Sequence, residues 1–84
     1  MNTVSVRYFA SIREALGAGE RVELPAGATV ALLRDRLIER SPTHAAALAR
    51  GKALRCALNQ ALCEESAVVD EGAEVAFFPP VTGG

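Results

Sequence analysis

Short runs in which apolar and polar residues alternate predict the strands of this chain. Residues 4–9, Val-Ser-Val-Arg-Tyr-Phe, alternate with the period of two that is typical of a strand with one buried face. The same alternation recurs at 21–24, 54–59 and 74–78. Asn59-Gln60 is followed by a short apolar segment at 61–63, and this order predicts a hairpin. The pattern therefore predicts four strands and a short fifth one.

One segment has the spacing of an amphipathic helix. Val30, Leu33 and Leu37 fall on one face of it, and Thr29 is of a residue type that caps helix N-termini. The charged residues between them, Arg34 among them, are expected to form a solvated face. This is the longest helix that the sequence predicts.

Two shorter helices are indicated by their first residues. Ser11 and Glu14 have the spacing of a capping box, and Gly17 is suited to end the helix that they begin. Ser41-Pro42 has the order of an N-cap followed by a proline in the first turn. His44 stands near that start with no cysteine or carboxylate at an informative spacing, so we expect a surface histidine rather than a general base.

The order of elements predicts an α+β fold, a mixed sheet with one main helix packed on one face. Residues 1–78 form the predicted domain, and residues 79–84 form an extended tail. The strand alternation places Phe9, Leu62 and Phe78 on the sheet face that the main helix leaves uncovered. Large apolar side chains clustered on a surface usually mark a protein-binding site, which is the role predicted for these three.

The charge, the apolar runs and the cysteine content argue against several classes of partner. The net charge is −1 and no basic run is present, which argues against a nucleic-acid partner. No apolar run is long enough to cross a bilayer and no signal-peptide pattern begins the sequence, so we expect no membrane partner and a cytoplasmic location. Cys56 and Cys63 lack companions at metal-ligand spacing, so no metal site is predicted and both thiols are expected to be reduced.

The last six residues, Pro-Pro-Val-Thr-Gly-Gly, predict an exposed tail whose end is handled chemically. Pro79 and Pro80 lack amide donors, so they end the sheet and favour an extended path. Gly83 and Gly84 have no Cβ and can therefore enter a narrow channel. A terminal carboxylate is unreactive at neutral pH and needs activation, for which a mixed anhydride with AMP is a chemical solution. The protein would then be a substrate and carrier rather than an enzyme.

Four motifs together resemble one known family. They are V-x-V-x-Y-F-A-x-I-R-E-x-L-G at 4–17, P-x-G-x-T-V at 25–30, A-x-N-Q-x-L at 57–62 and G-x-E-V-A-F-F-P-P-V-T-G-G at 72–84. In these motifs the chain resembles the small subunit of molybdopterin synthase, the MoaD-type sulfur carrier. The resemblance covers nearly the whole chain and implies a β-grasp, ubiquitin-like fold.

The resemblance also implies a chemistry for the terminal residue. Gly84 would be adenylated with ATP by an E1-like activating enzyme and then converted to a thiocarboxylate by a sulfurtransferase system. The tail residues Pro79, Pro80, Val81, Thr82 and Gly83 would enter the active site of the large synthase subunit. There the sulfur would be donated to cyclic pyranopterin monophosphate, on the way to the dithiolene that binds molybdenum.

Further expectations concern assembly. The family implies a heterotetramer of small and large subunits in which Phe9, Leu62 and Phe78 contact partners. The large subunit would supply the active site, and the small subunit would hold no bound cofactor.

Other functions remain open from the sequence. Carriers for thiamin synthesis or tRNA thiolation also end in Gly-Gly on a β-grasp domain, although the F-F-P-P-V segment favours the molybdopterin reading. A ubiquitin-like protein modifier is a second alternative, and Lys52, the one lysine, excludes chains built through several lysines. A plain interaction module that uses only the apolar face is a third.

Overall fold

Five strands form one sheet in the computed structural model, which describes residues 1–80. The strands are β1 (Asn2–Tyr8), β2 (Gly19–Leu24), β3 (Arg55–Leu58), β4 (Ala61–Cys63) and β5 (Glu74–Phe78), in the spatial order β2-β1-β5-β3-β4. The helices are α1 (Ala10–Leu16), α2 (Val30–Ile38) and α3 (Pro42–Leu48). Val81, Thr82, Gly83 and Gly84, to which the sequence assigns tail roles, lie outside the described residues.

The two terminal strands are neighbours at the centre of the sheet. β1 and β5 run parallel, with Val6 opposite Val75 and Tyr8 opposite Phe77. The other strand pairs, β1 with β2, β3 with β5 and β3 with β4, are antiparallel. The sheet is therefore mixed, as predicted, and its last strand is held by hydrogen bonds on both sides.

The helices cover one face of the sheet and enclose the core. Val30, Leu33 and Leu37 of α2 are fully buried, as their spacing predicts. Ile12 of α1 and Leu48 of α3 join the same cluster. The sheet contributes large buried side chains from four strands, namely Val4, Val6, Tyr8, Val22, Leu24, Cys56, Val75 and Phe77. The predicted fold class is confirmed, with α2 as the longest of three helices that share the packing.

Two of the three predicted helix starts are confirmed. The Thr29 hydroxyl accepts a hydrogen bond from the Leu32 amide at 3.3 Å, and the Ser41 hydroxyl accepts one from the His44 amide at 3.1 Å. The capping box at Ser11 is wrong, because α1 begins at Ala10 and no side chain caps it. The Phe9 amide still donates to the Phe77 carbonyl at 3.3 Å, so the chain passes directly from the sheet into α1 and Ser11 already lies inside the helix.

Arg34 is buried, which corrects the prediction that it belongs to a solvated face. It is only 3% exposed, and its guanidinium donates to the carbonyls of Leu48 at 2.8 Å, Ala49 at 2.5 Å and Lys52 at 3.1 Å. The same group pairs with Glu65 at 2.7 Å. The end of α3 packs against α2 at this point, and its last carbonyls have no donors within the helix. Arg34 supplies those donors and joins two helices to the loop that leads to β5.

Replacing Arg34 by Met should lower the free energy of unfolding by about 3 kcal/mol, because the buried carbonyls of Leu48 and Lys52 lose the donor that Arg34 supplies, and the Ala49 carbonyl and the Glu65 carboxylate each lose one of two donors. Urea denaturation of both proteins measures the difference. Arg36→Met, an exposed position on the same helix, is the matched control and should change stability by less than about 0.5 kcal/mol. Equal effects of the two substitutions would contradict the bridging role of Arg34.

Candidate functional site

The sheet face opposite the helices carries a row of residues that the strand register aligns. Arg7 is paired with Ala76, Ala76 with Ala57, and Ala57 with Leu62. Directly paired residues point to the same side of a sheet, so these four side chains share one face. Leu62, on the edge strand β4, is 70% exposed. The row therefore ends in a large apolar side chain that contacts solvent.

The same face also carries two phenylalanines, one just after β1 and one at the end of β5. Phe78 is paired with Arg55 across β5 and β3, and Phe9 follows Tyr8, whose partner is Phe77. Phe9 is 40% exposed and Phe78 is half-buried. We call Phe9, Leu62 and Phe78 the apolar patch. The structure places all three on the face predicted from the alternation, and their role in binding a partner stays a prediction.

Cationic side chains border the apolar patch. The Arg7 guanidinium lies 5.9 Å from the centroid of the Phe9 ring, within the range of a cation–π contact. Arg7 also pairs with Glu74 at 3.6 Å, and both partners are partly exposed. Arg55 is exposed beside Phe78. A partner surface with apolar side chains surrounded by carboxylates would complement this arrangement.

The predicted tail begins beside the patch. β5 ends at Phe78, and neither Pro79, which is half-buried, nor Pro80, which is exposed, belongs to a strand. Proline has no amide hydrogen to donate to a neighbouring strand, which explains why the ladder stops there. Strand pairing thus fixes the point where the chain leaves the sheet, and the patch lies at that point.

Asn59 holds the hairpin tip against the start of β5, whereas the sequence pattern predicts only the turn. The turn was predicted, and φ angles of 49° at Asn59 and 72° at Gln60 confirm its left-handed backbone. In addition, the Asn59 side-chain oxygen accepts a hydrogen bond from the Glu74 amide at 2.9 Å, and the Asn59 amide donates to the Glu74 carbonyl at 2.8 Å. The hairpin tip is thereby joined to the start of β5. No spacing rule reveals that contact, because the two residues are distant in the sequence.

A polar cluster lies under the sheet edge near α3. The Glu20 carboxylate accepts hydrogen bonds from the Tyr8 hydroxyl at 2.6 Å and from His44 Nε2 at 2.7 Å, and it also pairs with Arg40. The Ser41 hydroxyl lies 2.7 Å from His44 Nδ1. His44 is therefore half-buried, and the expectation of a surface histidine is wrong because its ring bridges the helix cap and β2.

The environment of Glu20 shifts its protonation equilibrium. Partial burial alone would raise its pKa, but the hydrogen bonds from Tyr8, His44 and Arg40 and the charge of His44 outweigh burial and lower the pKa. Burial, together with the hydrogen bond to Glu20, raises the pKa of Tyr8 well above its usual range. These shifts favour a charged Glu20 carboxylate that accepts a hydrogen bond from a neutral Tyr8 hydroxyl. This arrangement stabilises the fold.

Among residues 1–80, no three side chains of His, Cys, Asp or Glu are grouped so as to hold a metal ion. None of the helices in that range has the length and apolar character needed to cross a membrane.

The sequence is similar to known proteins along nearly its whole length. The model of the family described as the ThiS family matches residues 6–84. The chain is 40% identical over 82 residues to the molybdopterin synthase sulfur carrier subunit of Haemophilus influenzae, covering 96% of this chain and 99% of that protein. It is 41% identical over 81 residues to the Escherichia coli protein of the same name, with the same coverage. The crystal structure of SAMP1 from Haloferax volcanii has a TM-score of 0.80 at 25% identity, covering 99% of this chain and 100% of that one.

Leu62→Ser should change the free energy of unfolding by less than about 0.5 kcal/mol, because the side chain is already in solvent. Leu24→Ser, at a fully buried position on β2, should cost more than about 3 kcal/mol. Urea denaturation measures both. A large loss of stability in Leu62→Ser would show that this side chain belongs to the core and not to a docking surface.

Glu20→Gln should reduce stability near neutral pH and by less in acid. The folded-state pKa lies below the unfolded value of about 4.3, so the carboxylate stabilises the fold above that value, and the stabilisation is lost as pH falls through the lower pKa. Unfolding curves between neutral and strongly acidic pH measure the change. Glu23→Gln, exposed on the same strand, is the control. A difference between Glu20→Gln and wild type that is constant with pH would refute this account.

Proposed function

We propose that this chain, which belongs to the ThiS family, is a sulfur carrier and serves as the small subunit of molybdopterin synthase. Two curated relatives with this name are 40% and 41% identical to it over nearly their full lengths. The family match extends through Gly84, so it includes the tail motif on which the chemistry depends. A cytoplasmic location is part of the proposal.

The observation that carries the proposal is the placement of β5. This strand pairs with β1 on one side and with β3 on the other, so Phe78 is held at the centre of the sheet. The chain leaves the sheet at Pro79, beside the apolar patch. A partner that docks on the patch is therefore adjacent to the start of the segment that ends in Gly83-Gly84.

Activation of the carboxyl group is the first chemical step. The Gly84 carboxylate attacks the α-phosphorus of ATP on an E1-like enzyme, and pyrophosphate leaves. The acyl-adenylate then has a good leaving group, which the carboxylate lacked. The terminal sulfur of a sulfurtransferase persulfide displaces AMP and gives an acyl disulfide, and a thiol then cleaves the S–S bond to leave a thiocarboxylate on Gly84. Glycine suits this position because no side chain obstructs the enzymes that must reach its carbonyl.

Sulfur delivery is the second step. Pro79, Pro80, Val81, Thr82 and Gly83 are proposed to enter the large subunit, in which the thiocarboxylate sulfur attacks cyclic pyranopterin monophosphate. Hydrolysis of the resulting thioester breaks the acyl C–S bond, leaves the sulfur on the pterin and returns the Gly84 carboxylate. The extended path favoured by two successive prolines limits the conformational entropy lost on insertion. The small subunit supplies sulfur and position, and the large subunit supplies the active site of the proposed heterotetramer.

The apolar patch is the proposed docking surface for the large subunit and, in turn, for the activating enzyme. Phe9 and Leu62 are exposed without contributing to the core, and Phe78 joins the patch to the tail. Aromatic side chains are enriched among the residues that dominate binding energy at interfaces. One surface for two partners implies that loading and delivery exclude each other in time.

Removing Gly84 should abolish thiocarboxylate formation, because the new terminal carboxyl group, on Gly83, lies one residue short of the reactive position. The purified protein is incubated with an E1-like enzyme, ATP and a sulfur donor, and its intact mass is measured. The expected gain equals replacement of one oxygen by sulfur in the full chain and is absent when Gly84 is deleted.

Omission of ATP is the control for nonspecific sulfur uptake. An unchanged mass in a loading system that converts a known carrier would contradict the carrier function. Stable adducts of the whole protein on lysines of other proteins would instead support a ubiquitin-like modifier.

Phe78→Ala should weaken binding to the large synthase subunit by at least about tenfold, because an aromatic side chain at the junction of patch and tail is removed. Titration calorimetry measures the affinity. Val68→Ala, which shortens an exposed apolar side chain outside the patch, is the matched control and should bind like wild type. Unchanged affinity of Phe78→Ala would refute the assignment of the patch as the docking surface.

A further inference from the structure

Cys56 and Cys63 form a thiol pair that sulfur transfer through Gly84 does not use. The two residues are directly opposite each other in the β3–β4 ladder, and their Sγ atoms lie 3.6 Å apart. The Cys56 thiol also donates to the Cys63 carbonyl at 3.3 Å. Both thiols are free, and the chain has no other cysteine. Each thiol therefore has a single possible partner within the molecule.

We propose that this pair is a reversible redox site that closes to a Cys56–Cys63 cross-strand disulfide in reaction with a low-molecular-weight disulfide such as oxidised glutathione. The proposal concerns a modification site separate from the sulfur carried on Gly84. It does not depend on the proposed function.

The backbone geometry suits a disulfide. Directly opposed residues of an antiparallel pair have Cα atoms about 4.5 to 5.5 Å apart, which lies within the range of about 4.4 to 6.8 Å found across disulfides. The sulfur atoms must approach from 3.6 Å to about 2.05 Å. Rotation of the two side chains provides most of this movement. β4 is a three-residue edge strand paired only with β3, so its backbone can adjust to the rest.

The environments of the two sulfur atoms differ, and this difference determines which thiol reacts first. Cys63 is half-buried, whereas Cys56 is buried. Burial, followed by the hydrogen bond and charge interaction with Cys63, raises the pKa of Cys56 to about 12. Because the thiolate is the attacking species, Cys63 is the thiol that meets the external disulfide first.

Two exchange steps complete the reaction. The Cys63 thiolate attacks one sulfur of the small disulfide, the S–S bond breaks, and one small thiolate leaves. Cys56 then gives its proton to a departing thiolate or to water, and its sulfur attacks Cys63 Sγ and releases the second small thiol. Two protein thiols are oxidised and one small disulfide is reduced to two thiols, so no other oxidant is required. Contact between the sulfur atoms makes the second step intramolecular and offsets the high pKa of Cys56.

Intact-mass measurement on the full chain tests the proposal. The protein is incubated with oxidised glutathione, and free thiols are then trapped with an alkylating agent. The wild type should lose the mass of two hydrogens, retain no glutathione and take up no alkyl group, and dithiothreitol should restore the starting mass. Cys56→Ser should stop at one glutathione bound to Cys63. Cys63→Ser should react at least about tenfold more slowly than Cys56→Ser, because its remaining thiol is buried.

Several outcomes would overturn the proposal. They are a wild type that keeps bound glutathione, a wild type that forms disulfide-linked dimers, a wild type that does not react, and single variants that react at equal rates. Serine has nearly the volume of cysteine, and circular dichroism checks that both variants are folded. The wild-type measurement decides the question even if a variant is unstable.

Discussion

The parallel pairing of β1 with β5 is the constraint on which the rest of this molecule depends. Hydrogen bonds between the two strands place the first and last strands of the sheet side by side at its centre. A parallel pair cannot be closed by a hairpin, so the connection between the two strands must cross over, and it supplies the helices that cover one face. Together with the pairing to β3, the parallel pairing holds β5 on both sides up to Phe77. The segment beyond Pro79 therefore starts from one of the most firmly held points of the sheet.

The two faces of the sheet have different roles: one forms the core and the other is exposed. The helical face buries the core, and Arg34 joins α2, the end of α3 and Glu65 through one guanidinium. The open face presents the apolar patch and the cationic side chains of Arg7 and Arg55. The side chains of each strand alternate between the two faces. A substitution at Leu62 can therefore adapt the open face to a binding partner without disturbing the core. This separation suits the proposed function, in which one partner loads the carrier and another receives its sulfur.

Much of this arrangement could be predicted from the sequence because it depends on local periodicity. Alternation predicted the outward direction of Phe9, Leu62 and Phe78, and the caps at Thr29 and Ser41 were correct because a capping hydrogen bond lies within one turn. The burial of Arg34 was missed, since its partners are carbonyls of another helix and their position depends on tertiary packing. The capping box at Ser11 failed for a related reason, because β1 remains paired with β5 through Phe9 and this pairing sets where α1 begins. The contacts of His44 with Glu20 and of Asn59 with Glu74 likewise join residues that no sequence spacing connects.

The central claim is that this protein delivers sulfur to a pterin, and a reconstituted transfer reaction tests it most directly. Thiocarboxylated protein is mixed with the purified large subunit of molybdopterin synthase and cyclic pyranopterin monophosphate, and the dithiolene product is quantified by its oxidised fluorescent derivative. We predict that product forms with consumption of two thiocarboxylates per molecule and that unloaded protein gives none. Absence of product, when the same loaded sample transfers sulfur to a thiazole precursor or to tRNA, would contradict the account.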